Sequence, residues 1–312
     1  MRILFAGTPD TAVPSLVKLH EEHEVLAVLT RAPAKVGRKR ELRNSPVHET
    51  AQELGIPVHT PSSLKGAEIE ELLASYEPDA IAVVAYGLLI PKNLLELPKL
   101  GWFNLHFSLL PRWRGASPVQ AALVAGDSTT GTTIFKIDAG LDTGPIVSSK
   151  ERDIPSGIHA GHLLEILACE GAQHLSEVFA QLAENNVVLH EQVGEATYAG
   201  LLRARDGEIN WHRPAHDILN QIRGLNPEPG TWCMFNGQRI KILGATVSES
   251  LIEPGVIVAG KAVLIGTTTQ ALALDMVAPA GKRPMEAQAW ARGLKGDHLV
   301  FDTYSMNEER DK

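Results

Sequence analysis

IAVVAYGLL at 81–89, followed by GWFNLHFSLLPRWRGASP at 101–118, is the stretch on which the fold turns. The first run is uninterrupted apolar sequence and reads as a buried strand. In the second, the NLH triplet sets the side chains of Asn104 and His106 on one face of an extended segment, because strand side chains alternate with period two. An amide and an imidazole converging from one strand can hydrogen-bond a developing oxyanion and move a proton. The turn GLDTG follows at 140–144, and its Asp142 is a carboxylate able to orient that imidazole. The combination suits transfer of an acyl-type group without a serine or cysteine nucleophile.

Outward from this stretch, apolar runs alternate with helical periods. RILFA at 2–6, EVLAVLT at 24–30, IPVHT at 56–60 and IAVVAYG at 81–87 read as strands. Residues 11–21, 46–54 and 64–75 between them read as helices, the second with Pro46 near its start. That alternation predicts an α/β fold with a parallel, doubly wound sheet. In such sheets ligands bind at the carboxyl ends of the strands, where Asn104 and His106 fall. A further strand is expected at 104–108 and a helix at 117–126. Antiparallel strands at 129–138 and 146–154 flank the GLDTG turn, and a long amphipathic helix follows at 159–184.

From Glu184 to about 203 no strong period is visible. Beyond it come short strand-like runs between glycines (GEINW, GTWCMF, QRIKILGA, GVIVAG, AVLIGTT and ALALDMVAP) with one helical piece, HDILNQIRGL. Short strands with regular turn signals predict a small barrel. The expected organisation is a first domain over 1–188, a linker over 189–203 and a second domain over 204–312.

Composition narrows the function classes. The chain has 312 residues, enough for two cores, with 44% hydrophobic and 21% charged residues. No run approaches the roughly 20 apolar residues of a membrane span. The opening MRILFAGTPD runs straight into a strand without a signal-peptide core. Cys169 and Cys233 lie in no metal-type spacing and read as thiols in a reducing compartment. These features predict a cytoplasmic protein. The net charge of −8 excludes general nucleic-acid coating but leaves room for a local basic patch.

Several features carry two readings. The loop RAPAKVGRKRELR at 31–43 is either a solvated loop or an arm for phosphates, with Lys282 and Arg283 a weaker version of the same signal. The AGTPD turn either closes the first strand or cradles a phosphate; without G-x-G-x-x-G it is no dinucleotide fingerprint. Asp138 is either a second carboxylate of the site or a turn residue at a strand end. SLLP at 108–111 is a short rigid segment able to clamp a planar heterocycle. Trp113 between Arg112 and Arg114 adds a flat group, and Gly115 permits close backbone approach. His159, His162 and His174 share no ligand spacing with an acidic residue, so no metal is predicted.

NLHFSLLPRWRGASP followed by GLDTG resembles the 10-formyltetrahydrofolate-dependent formyltransferases. The likeness extends over nearly the whole chain, through RILFAGTPD, SPV at 45–47, VVAYGLLIP at 83–91, and DGEINW with NP at 226–227. The resemblance implies a Rossmann-like catalytic domain and a C-terminal OB-like, tRNA-binding domain. It implies Asn104, His106 and Asp142 as the catalytic set, and Ser108, Leu109, Leu110 and Pro111 as the border of the folate site. It places Tyr86, Gly87 and Leu88 along the pterin pocket, and Arg38, Lys39 and Arg40 on tRNA. One departure is Phe107, where many relatives have a small residue. The implied reaction is formyl transfer from 10-formyltetrahydrofolate, as co-substrate and without a metal, to the α-amino group of methionine on initiator tRNA by a monomer. Rival readings are transfer to an amino-sugar nucleotide or other small amine, hydrolysis of formyl-folate, and a non-catalytic RNA-binding protein.

Overall fold

The apolar runs come together in a seven-stranded sheet whose order is Ile146–Asp153, Thr129–Lys136, Gly101–His106, Ala80–Val84, Arg2–Gly7, Glu24–Leu29 and Val58–His59. The five strands from Gly101–His106 to Val58–His59 are parallel. The two at the other edge run antiparallel to their neighbours. This is a computed structural model describing residues 1–36, 41–296 and 299–302. The chain divides into two units. One comprises Met1–Pro118, Thr129–Asp153 and Leu164–Ala199; the other comprises Val119–Ser128, Ile154–Leu163 and Gly200–Lys312.

In the first unit the chain moves outward from Arg2–Gly7 to Glu24–Leu29 and Val58–His59, then crosses back to Ala80–Val84. The direction of winding therefore reverses between the first and fourth strands in chain order, and the crevice there is the usual ligand site of such sheets. The strand expected over 81–87 stops at Val84, because Ala85 turns the chain at φ 47°. Thr8 Oγ1 donates to the Tyr86 carbonyl at 3.0 Å, so the AGTPD turn ties the two strand ends together.

Alternation along Gly101–His106 separates two packed faces. Phe103 meets Phe179 of the long helix Ala160–Ala183 edge-on, with centroids 6.0 Å apart. On that face a Cβ at Gly171 would lie 2.8 Å from Leu105 Cδ2, so glycine lets the helix approach the sheet closely. Trp102 points the other way, into a cluster with Leu4, Ala6, Leu29 and Ile81. Its buried indole N–H donates to the Leu94 carbonyl at 2.7 Å, satisfying the one polar group that burial would strand. Ser45 caps the helix Pro46–Glu53, its hydroxyl accepting from His48 N at 3.1 Å with Pro46 at the first helical position.

The second unit is built on an antiparallel sheet ordered Thr231–Phe235, Gln238–Val247, Leu272–Pro279, Val263–Ile265 and Ile257–Ala259, with Met285–Glu286 also paired to Leu272–Pro279. Asn236 and Gly237, both at positive φ, make the two-residue turn between the first two strands. Register shifts around Gly244 curl the long strand Gln238–Val247, which turns the sheet into a barrel-like form. Inward residues Ile240, Ile242, Val263, Leu274 and Val277 pack against Ile218 and Ile222 of the helix Ala215–Leu225. Trp211, Phe301 and Trp290 stack in series beside Phe235.

GEINW, expected as a strand, is instead a 3-10 turn over Ala204–Gly207 followed by one bridge from Glu208 to Trp232. Gly207 explains why: a Cβ there would overlap the Gly230 carbonyl, so the segment is pressed against the Asn226–Gly230 corner rather than paired along a strand. Cys169 is exposed and Cys233 buried, and both are free thiols.

Candidate active site

The strand Gly101–His106 presents Asn104 and His106 on one face. The neighbouring strand confirms the register. Phe135 lies directly opposite Asn104, and its ring meets the His106 imidazole edge-on at 6.4 Å. The strand ends at His106, not at Ser108 as expected. Ser108 Oγ donates to the Arg112 carbonyl at 2.6 Å, and that bond closes a turn.

His106 is almost wholly buried. Its Nε2 lies 2.8 Å from the Trp113 carbonyl, and its Nδ1 lies 3.8 Å from Asp142 Oδ2. A carbonyl only accepts, so Nε2 carries the hydrogen and a neutral ring has its lone pair on Nδ1, facing the carboxylate. Burial holds the imidazole pKa below its ordinary value, against the opposing pull of Asp142 and of the Trp113 carbonyl. Two proton acceptors therefore face one gap. An amine or a water lying to one side of the pair, at hydrogen-bond distance from each, would bridge them.

Asp142 sits at φ 52° in its turn, a conformation aspartate tolerates better than most residues. Its Oδ2 accepts from Gly115 N at 2.7 Å. Gly115 has φ 116°, and a Cβ there would overlap the Ala199 carbonyl, so no other residue fits. Trp113, also at positive φ, has Arg112 Cζ 4.4 Å from its ring centroid. Two non-glycine residues in left-handed backbone beside one histidine mark a place where the surroundings hold strain. Asp138 resolves as the turn residue: its Oδ1 accepts from Gly140 N at 2.9 Å and from Thr143 Oγ1 at 2.6 Å. Asn104 is half-buried, and its side chain makes no hydrogen bond among the described residues, which leaves its N–H groups available.

The SLLP segment is tied to the neighbouring strand by Thr133, the residue paired with His106. Thr133 Oγ1 donates to the Ser108 carbonyl at 2.7 Å and accepts from Leu110 N at 3.2 Å. Ser108 and Leu110 are buried; Leu109 and Pro111 are half-buried. Phe107 is 7% exposed, so its extra bulk is absorbed in packing. Tyr86 is a core residue whose hydroxyl is buried without a partner among the described residues, while Gly87 is exposed and Leu88 half-buried.

Two residues of this site were not visible in the sequence. Thr133 lies in a threonine-rich strand whose alternation says which face it takes but not what it holds. Gln192 lies in the aperiodic stretch, and its amide touches both the RWRGA loop and the LDTG turn. Arg38, Lys39 and Arg40 lie outside the described residues. The segments flanking them, Ala34–Val36 and Glu41–Arg43, pair antiparallel. In the second unit, Lys282 and Arg283 are exposed on the turn after Pro279. Arg239 lies 3.7 Å from the Trp232 ring centroid, and Lys241 pairs opposite Trp232. Among the described residues no cluster of three His, Cys, Asp or Glu is arranged to hold a metal ion, and no helix is long and apolar enough to cross a membrane.

Residues 1–179 match the family described as Formyl transferase, and residues 201–295 match Formyl transferase, C-terminal domain. The chain is 46% identical over 303 residues to a methionyl-tRNA formyltransferase of Corynebacterium diphtheriae, covering 95% of this chain and 97% of that one. Among solved structures it resembles WlaRD, a sugar 3N-formyl transferase determined in the presence of dTDP and 5-N-formyl-THF. The TM-score is 0.66 at 18% identity, over 91% of this chain and 99% of that one. It also resembles methionyl-tRNA formyltransferase from Clostridium thermocellum, with TM-score 0.55 at 19% identity, over 85% of this chain and all (100%) of that one. With family models matched over residues 1–179 and 201–295 and a relative 46% identical over nearly the whole chain, the chain belongs to the formyl transferase family, and within it to the methionyl-tRNA formyltransferases.

Proposed function

We propose that the chain transfers the formyl group of 10-formyltetrahydrofolate to the α-amino group of methionine on initiator tRNA, with Asn104, His106 and Asp142 as the catalytic residues. The observation that carries this reading is the His106–Asp142 gap, with a lone pair on one side and a carboxylate on the other. Attack by the amine forms the new C–N bond and turns the formyl oxygen into an oxyanion. Asn104 donates a hydrogen bond to that oxygen. His106 Nδ1 takes the proton the amine sheds, directly or through a water, and the resulting imidazolium is stabilised by Asp142. Collapse breaks the bond to the folate nitrogen, and His106 returns the proton to that nitrogen.

Ser108, Leu109, Leu110 and Pro111 would border the folate, with Tyr86, Gly87 and Leu88 along the pterin. The orphaned Tyr86 hydroxyl supports the fit, since a polar ring edge would satisfy it. Arg38, Lys39 and Arg40 are assigned to tRNA phosphates. In the second unit Trp232, Arg239 and Lys241 offer the stacking and charge that nucleic acid needs.

The test is single-turnover transfer from 10-formyltetrahydrofolate to initiator Met-tRNA, elongator Met-tRNA and free amines. Rapid transfer confined to initiator Met-tRNA is expected. Folate turnover with no formylated tRNA would move the acceptor to a small amine or water.

A further inference from the structure

The backbone groups that His106 and Asp142 bond, on Trp113 and Gly115, are tied to one segment, His190–Ala199. It starts with reciprocal backbone bonds between His190 and Ile146, at 2.7 and 2.8 Å. It ends with Tyr198–Ala199 running parallel to Arg114–Gly115. Between these points Gln192 uses its whole amide. Nε2 donates to the carbonyls of Asp142 and Gly144, both at 2.8 Å. Oε1 accepts from Arg114 Nε at 3.1 Å and from a terminal nitrogen of Arg114 at 2.6 Å. The orientation of the amide is unambiguous, because arginine only donates and carbonyls only accept.

The two catalytic side chains depend on this segment through different atoms. The Asp142 backbone is tied to Gln192, and its carboxylate is tied to Gly115 N, itself pressed against Ala199. His106 leans on the Trp113 carbonyl. Trp113 N donates to Thr197 Oγ1 at 2.9 Å, and Arg114 N donates to the Thr197 carbonyl at 2.8 Å. Little apolar burial holds the segment down: Val193 and Tyr198 are 87% and 62% exposed, while the small Ala199 is buried. Hydrogen bonds do, and Gln192 makes four of them.

We propose that His190–Ala199 is a strap of the active site and that Gln192 is its positioning residue, setting where the Asp142 carboxylate stands relative to His106. The inference rests on the proposed catalytic role of Asp142 and extends it to a residue that touches no substrate. A displacement of about 1 Å at a reacting group costs on the order of 100-fold in rate.

The test is a double-mutant cycle on formyl transfer to Met-tRNA with four proteins: wild type, Gln192→Ala, Asp142→Ala and the double variant. Gln192→Ala is expected to lower kcat roughly 10- to 100-fold while KM for folate stays within about twofold. In the Asp142→Ala background the same change should cost less than about threefold, because the group it positions is gone. Equal factors in both backgrounds, or a native kcat for Gln192→Ala, would overturn the proposal. Gln192→Glu keeps the acceptor for Arg114 and loses both donations to the turn. It is expected to be as slow as Gln192→Ala, and it replaces alanine in the cycle if the alanine variant does not fold; native turnover in Gln192→Glu also overturns the proposal. Absence of wild-type transfer to Met-tRNA, or full activity of Asp142→Ala, would instead overturn the proposed function. The strap would then be judged from the same cycle read on hydrolysis of 10-formyltetrahydrofolate.

Discussion

Thr132 and Thr133 are neighbours on one strand, yet they lie beside two different histidines on opposite faces of the sheet. Thr132 Oγ1 bonds His174 Nδ1 at 2.8 Å, and Ser148 Oγ bonds His174 Nε2 at 2.8 Å, so both ring nitrogens are occupied by hydroxyls. Burial pushes that imidazole down to about 4, and it stays neutral and inert. Thr133 sits on the other face beside His106, which has one nitrogen on a carbonyl and the other facing a carboxylate. Both histidines are buried and both are held neutral. What separates His174 from His106, the histidine proposed to react, is the unsatisfied nitrogen and the charge in front of it, not burial or pKa direction.

The strongest way to break this contrast is to remove the charge or the amide on the reactive face. Asp142→Ala and Asn104→Ala are each expected to lower kcat by about 10²–10³ in a protein that still folds, Asp142→Ala with a lower melting temperature because Gly115 N loses its acceptor, measured by single turnover beside calorimetry. Near-normal turnover in either would erase the distinction between the two faces. A smaller effect is expected at Thr133. Thr133→Val leaves Leu110 N without its acceptor and the Ser108 carbonyl without its donor, so SLLP loosens. KM for 10-formyltetrahydrofolate should rise several-fold while kcat falls less, and stability should drop by about 1–3 kcal/mol. A kcat defect with unchanged KM would show that Thr133 acts on His106 rather than on the loop.

The smallest effect belongs to the packing face. His174 has a folded value of about 4 against roughly 6.5 in the unfolded chain, so the unfolded state binds more protons between those values. Its neutrality therefore supports the fold fully above pH 6.5, and that support is lost as pH falls toward 4. His23, His59 and His159, all lowered first by burial, act in the same direction. His174→Gln should flatten part of the fall in melting temperature over that window and leave formyl transfer at pH 7 within about twofold. A large loss of turnover would mean the two faces are coupled through the strand.

What was legible and what was not divide along this strand and its strap. Period and punctuation located the parallel strands and the barrel-like second unit. They missed GEINW because its shape comes from the Gly207 contact with Gly230, on a different loop. The NLH alternation placed Asn104 and His106 on one face, and the tight glycine turn singled out Asp142. The reading of Asp138 stayed open until its carboxylate was seen bonded within its own turn.

The sequence by itself determined the α/β class, the strand carrying the amide and imidazole, the carboxylate turn and the family. These are local patterns, or runs of residues long enough to be specific. Tertiary structure alone decided which nitrogen of His106 bears the hydrogen, that His174 has both ring nitrogens bonded to hydroxyls, and that an aperiodic segment at 190–199 bonds the turns around His106 and Asp142. Gln192 meets Asp142, Gly144 and Arg114 across long chain separations, and such hydrogen bonds follow no period. A segment held by backbone and amide bonds, with its large apolar side chains Val193 and Tyr198 in solvent, leaves no hydrophobic pattern from which to read it.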